Sequence, residues 1–156
     1  MGSDVILIAP FAQKLRFGDN KINAKNYPVE LWRKIIEGIK DEVIQVGATG
    51  EEKLVENCKF DLTLPELADL VQQCDTWIGV DSFFQHFAWD LGKRGIVLWG
   101  QSDPEIFGHP ENINMLHGRH FLREKQFYWW ELCPYRNDCW VTPKDVLRAL
   151  KTILPK

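Results

Sequence analysis

Apolar residues along the chain fall into short unbroken runs separated by stretches in which they recur at helical spacing. The first run, Val5-Ile-Leu-Ile-Ala9, is closed by Pro10, the pattern of a strand buried on both faces of a parallel sheet. Runs at residues 43–46, 60–62, 77–80 and 96–99 predict further strands, and residues 113–116 one more. Between them, Leu31, Trp32, Ile35, Ile36 and Ile39 form a stripe behind Pro28, a residue suited to a first helical turn. Leu67, Leu70 and Val71 do the same behind Thr63, with Glu66 at the capping-box position. Phe83, Phe84, Phe87, Ala88 and Leu91 follow Ser82, and Val146, Leu147, Leu150 and Ile153 follow Thr142-Pro143. A helix carrying Leu54 and Val55 is also expected after the turn Gly47-Ala-Thr-Gly50. Residues 13–26, with Lys14, Arg16, Lys21 and Lys25 and few apolar positions, read as a basic loop.

Strands alternating with helices predict an α/β fold: a Rossmann-like, doubly wound, mainly parallel sheet with helices on both faces. A chain of 156 residues, 45% of them hydrophobic, suffices for one core. The expectation is one domain over residues 4–156, with Met1-Gly2-Ser3 as a vector remnant. A net charge of −3 with mixed signs leaves no electrostatic footprint for nucleic acid. No apolar run approaches the roughly 20 residues of a bilayer span, so no transmembrane segment is expected and the default location is cytoplasmic. Cys133 and Cys139 flank a short loop without a close CxxC pair. They read as reduced thiols or a bridge formed on oxidation, with zinc a minor alternative.

Chemistry concentrates where residues 77–80 end at Asp81-Ser82 and the next helix begins. A helix N-terminus at the carboxyl end of a strand offers unpaired N–H groups to an anionic ligand. Ser82 stands at the cap position and His86 one turn later. Equally, Asp81 and Ser82 can simply cap the helix while His86 serves core or surface. No Gly-x-Gly-x-x-Gly follows the first strand, which argues against a dinucleotide-dependent enzyme.

Several motifs occur in order: Lys25-Asn-Tyr-Pro-Val-Glu-Leu-Trp32, Gly47-Ala-Thr-Gly-Glu51, Leu64-Pro-Glu-Leu67, Gly79-Val-Asp-Ser82 with His86-Phe-Ala88, and Gly100-Gln-Ser-Asp-Pro104. Together with Cys133 through Val146 they resemble the C-terminal domain of the heptosyltransferase-like glycosyltransferases of family nine, over nearly the whole chain. The resemblance implies one half of a GT-B fold, two Rossmann-like domains facing across a cleft. The half present would hold the nucleotide-diphosphate sugar donor, and the other would hold the acceptor and the catalytic base. It implies an inverting, metal-independent glycosyl transfer, a place in lipopolysaccharide biosynthesis, and work in the cytoplasm at the inner membrane face. No cofactor beyond the donor is expected. The donor is of the ADP-heptose type in the best-known members, though nothing in the sequence selects it. The partner expected is an acceptor-binding domain or a second chain. The absence of any Asp-x-Asp agrees with a metal-independent route.

Residue by residue, the resemblance assigns Lys25 and His86 to the donor phosphates and Asp81 to the sugar, with Ser82 beside them. It places Glu51 near the ribose and Leu62, Thr63 and Leu64 around the base. Ser102 and Asp103 lie at the same cleft edge, as donor contacts or as a turn before Pro104. Glu51 can alternatively be an acidic first-turn residue, and Lys25 a solvated lysine in a basic loop. The chain departs from the family at Phe83, where a small residue usually lets backbone approach phosphate. That departure keeps open a second reading, a non-catalytic nucleotide-sugar-binding or protein-interaction module. Trp129 and Trp130 read as a packed lid, a domain contact or a stacking platform.

Overall fold

Alternation along the strands sends side chains to two separate cores. The structure, a computed structural model, describes residues 4–155, so the reading of residues 1–3 as a remnant lies outside the described residues. Six strands form one sheet: β1 (Val5–Ala9), β2 (Glu42–Gly47), β3 (Cys58–Phe60), β4 (Thr76–Val80), β5 (Ile96–Trp99) and β6 (Ile113–Leu116). Their order is β3-β2-β1-β4-β5-β6, and each observed pairing is parallel. On one face Ile6, Ile8, Ile78, Val80, Ile96 and Leu98 pack against α1 (Val29–Gly38) and α5 (Pro143–Ile153). On the other, Leu7, Ile44, Val46, Trp77, Val97 and Trp99 meet α2 (Leu64–Gln73) and α3 (Phe83–Asp90). Helices therefore cover both faces of a doubly wound sheet.

The order reverses between β1 and β4, which makes their carboxyl ends the topological switch point. There the chain leaves β1 at Pro10 and leaves β4 at Asp81-Ser82. Thr63 caps α2 with a complete capping box to Glu66, and Thr142 caps α5 by accepting from Asp145 N. A one-turn helix, α4 (Pro104–Phe107), follows β5, and after β6 the chain to α5 is irregular apart from two 3-10 turns.

Two expectations are corrected. No helix follows Gly50: Gln45, fully buried in β2, donates Nε2–H to Glu52 O at 2.8 Å and accepts from Leu54 N at 2.7 Å. Those bonds hold the segment irregular, and Leu54 reaches the core without a helix. The third strand runs over Cys58–Phe60 rather than residues 60–62. It stops because Asp61 adopts a left-handed backbone, φ 57°, with its N–H bonded to Gly47 O.

Candidate functional site

Ser82 occupies the N-cap position of α3 in an extended conformation, but its hydroxyl makes no capping bond. The first turn therefore keeps N–H groups without a side-chain cap, beside a cavity of about 280 Å³. Lys25, Asp81, Ser82, Phe83, His86 and Trp130 line it. Lys25 Nζ lies 3.4 Å from Asp81 Oδ2 and 5.3 Å from the centre of the Trp130 ring. Asp81 is buried, and its Oδ1 accepts from Nε2 of the fully buried Gln85 at 2.9 Å. The ammonium, the uncapped turn and the imidazole thus converge on one space.

Two further cavities continue the cleft. One, of about 370 Å³, shares Ser82 and Phe83 with the first and adds Phe11, Glu51, Asp61 and Leu62. The other, of about 480 Å³, shares Ala12, Gln13 and Asn23 with the first and Glu51 with the second. All three border the loop that leaves β1, and each also borders the loop after β2 or after β4.

Local bonding explains how these side chains are held. Glu51 folds back so that Oε1 accepts from Ala48 N at 2.9 Å. A Cβ at Gly47 would come within 2.0 Å of that oxygen, so a side chain there would displace the Glu51 carboxylate from this position. Burial raises the Glu51 carboxyl above its ordinary pKa, opposed by the Ala48 bond and helped by Asp61. Asp61 is bound by both the backbone and the hydroxyl of Thr49, which lowers its own pKa. The basic loop is tied down across the cleft, where Arg16 Nε donates to the buried Glu131 at 2.6 Å and Asn20 bonds Glu131 O and Cys133 O. Trp130 is thereby held with Lys25 and Arg16 both over its ring. His86 is exposed at one edge, and desolvation of the rest of its ring pushes it below its ordinary pKa, followed by His109, with Lys25 adding to this and Asp81 opposing it.

Of the residues singled out from sequence, Lys25, Asp81, Ser82 and His86 line one cavity, and Glu51 and Leu62 line its neighbour. Thr63 caps α2 and Leu64 is exposed; neither borders these cavities. Ser102 and Asp103 are buried outside them. Asp103 caps α4 by accepting from Glu105 N and also accepts from both terminal nitrogens of Arg119, which holds its carboxyl below the usual range. Trp130 faces the cleft, while Trp129 packs edge-on against Phe17. Sequence reading missed Gln85, Asp61 and Phe11. Gln85 had a usable signal, a polar residue in the apolar stripe of α3; Asp61 and Phe11 gave none. Cys133 and Cys139 are buried free thiols, and burial pushes the Cys139 thiol up to about 11. Among the described residues no three His, Cys, Asp or Glu side chains gather as metal ligands, and no helix is long and apolar enough to cross a membrane.

A parallel doubly wound sheet with a polar cleft at its switch point defines a Rossmann-like domain. The chain belongs to glycosyltransferase family 9 (heptosyltransferase), whose family model matches residues 2–126. Its fold is similar to that of E. coli ADP-heptose lps heptosyltransferase II, at 19% identity and a TM-score of 0.67, over 97% of this chain and 46% of that one. A glycosyl transferase family 9 structure from Veillonella parvula is similar at 15% identity and TM-score 0.65, over 97% and 46%. An E. coli heptosyltransferase solved with ADP gives 15%, 0.64, 97% and 44%. The chain thus spans less than half the length of these solved relatives. No curated protein sequence matches it.

Proposed function

We propose that this chain is the donor-binding half of an inverting, metal-independent glycosyltransferase, and that its cleft holds a nucleoside-diphosphate sugar. The observation that carries the reading is the convergence of Lys25, His86 and the uncapped first turn of α3 on one cavity at the switch point. Each supplies positive potential or an N–H where a diphosphate would lie. Glu51 in the adjoining cavity suits the ribose hydroxyls, and Leu62 suits the base. As an acceptor hydroxyl displaces the nucleoside diphosphate, Lys25 and the helix terminus would stabilise the charge gathering on the leaving group. The acceptor and the base that deprotonates it belong to a further domain or a partner chain, in keeping with the fraction of its relatives that this chain spans. The ADP in one relative's structure makes ADP the first ligand to try, and the family membership supports a role in lipopolysaccharide assembly at the cytoplasmic membrane face.

Phe83 favours the second reading, a non-catalytic nucleotide-sugar or protein-interaction module, because its exposed ring borders both the Lys25 and Glu51 cavities. Calorimetric titration with ADP, UDP and GDP, with and without magnesium, separates the two. Saturable binding of one nucleotide, independent of magnesium and weakened by His86→Ala, is the result expected of a donor site. No binding up to millimolar ligand overturns it in favour of the module.

A further inference from the structure

His109 does not line the Lys25 cavity, yet it contacts the imidazole that does. His109 Nε2 lies 2.8 Å from His86 Nδ1, with the two rings nearly perpendicular at 82°. His109 is itself held from two sides. Its ring stacks on Trp89, centroids 4.2 Å apart and planes 9° from parallel, and Trp89 is anchored through Nε1–H to Glu111 Oε1 at 2.8 Å. Its carbonyl accepts from Asn112 N at 3.1 Å and Asn114 Nδ2 at 2.9 Å. The ring is therefore placed by α3 and by the turn after α4, with no ligand needed.

Burial, His109 and Lys25 all favour uncharged His86, which then carries one N–H and one lone pair. A nitrogen-to-nitrogen contact this short requires a hydrogen on one ring or the other. Were His86 to donate from Nδ1, its Nε2 would present a lone pair and repel an anion. Were His109 to donate, His86 Nε2 would carry the hydrogen. Asp81 and Lys25 border the same cavity 3.4 Å apart and offset each other. An anionic oxygen entering beside them can accept from an N–H on Nε2 but not from a lone pair there.

We propose that His109 is a positioning residue whose Nε2–H donates to His86 Nδ1, fixing His86 as the Nε2–H tautomer and aiming a neutral N–H at the diphosphate of a bound nucleotide. This rests on the donor-site reading above. It follows the logic by which a ring nitrogen's tautomer is set through the bond its other nitrogen makes.

Long-range nitrogen–proton NMR on the labelled chain reads the tautomer directly, and ADP, UDP and GDP titrations read its consequence. In the wild type, His86 should carry its hydrogen on Nε2. His109→Gln keeps an N–H donor in reach and should keep both the tautomer and the affinity. His109→Leu should give mixed tautomers and weaken the bound nucleotide by about tenfold, the worth of one hydrogen bond to a charged group. A purely structural role for His109 would not predict the tautomer change or the glutamine rescue. An Nδ1–H His86 in the wild type, or a His109→Leu chain that binds like wild type, overturns the proposal. If His86 is the Nε2–H tautomer but the wild type binds none of the three nucleotides, the donor reading fails and the tautomer assignment stands.

Discussion

Lys25 Nζ stands 3.4 Å from Asp81 Oδ2, so the end of the basic loop is pinned to the carboxyl end of β4 at the switch point of the sheet. Both side chains are mostly withdrawn from solvent, at 21% and 9% exposure. Asp81 retains its bond from Gln85 whether or not the lysine is present. Lys25→Ala should therefore lower unfolding free energy by only about 1 kcal/mol, between the values of exposed and buried pairs. The same change should weaken nucleoside-diphosphate binding by about tenfold or more, since it removes the ammonium that lines the cavity beside the uncapped turn. Urea unfolding and calorimetry on one sample check both halves. A large stability loss with unchanged affinity would make Lys25 a strut for Asp81 and no more.

Phe83 offers the converse experiment. Its ring is 59% exposed and packs against Phe87 at 5.4 Å while bordering both the Lys25 and Glu51 cavities. Removing it uncovers the first turn of α3 without emptying core. Phe83→Ala should leave the thermal midpoint within a few degrees, about 1 kcal/mol or less. If the ring obstructs the approach of phosphate to backbone, nucleotide affinity should rise by about tenfold in the same variant. A fall in affinity would mean that the phenylalanine contacts the ligand.

How much of this was legible in the sequence follows from what each residue's pattern can encode. β1, β4 and β5 were plain because continuous apolar runs bounded by Pro10, Asp81 and Gly100 fit only strands covered on both faces. The helix expected after Gly50 failed because its apolar residues, Leu54 and Val55, are placed by a side chain from another element, Gln45. Propensity and periodicity carry no trace of such a bond. The site divides the same way. Asp81, Ser82 and His86 were legible as residues flanking a strand-to-helix turn and Lys25 only through the family resemblance, and the sheet order brings the four together. Asp103 was legible as a turn before Pro104, but its pairing with Arg119 depends on how the irregular chain after β6 returns to the sheet.

Acid should expose the cost of keeping His86 uncharged. Its folded pKa lies below the ordinary imidazole value of 6.5, chiefly because part of its ring is desolvated. Above that value neither folded nor unfolded chain holds the proton and His86 imposes no penalty. As pH falls through 6.5 toward the lower folded value, the unfolded chain binds the proton first, and stability declines. His86→Gln cannot titrate, so its stability relative to wild type should increase between pH 7 and pH 5, read by thermal melts across that range. Parallel curves would mean that His86 charges in the folded chain as readily as in the unfolded one.

Gln45 should prove the most costly polar residue of the sheet to replace. It is fully buried in β2, and both ends of its amide are used by the irregular segment behind Glu51, Nε2 toward Glu52 O and Oε1 toward Leu54 N. Gln45→Leu preserves volume but leaves a backbone carbonyl and a backbone N–H beside an apolar side chain. Each unpaired group costs about 1–3 kcal/mol, less whatever water recovers as the segment shifts. A net loss of about 2–4 kcal/mol in urea unfolding is expected. Because the segment begins at Glu51, which borders two of the cavities, nucleotide affinity should fall even under conditions where the variant is fully folded. A loss below about 1 kcal/mol would mean instead that burial of Leu54 in the core holds the segment, with Gln45 only following it.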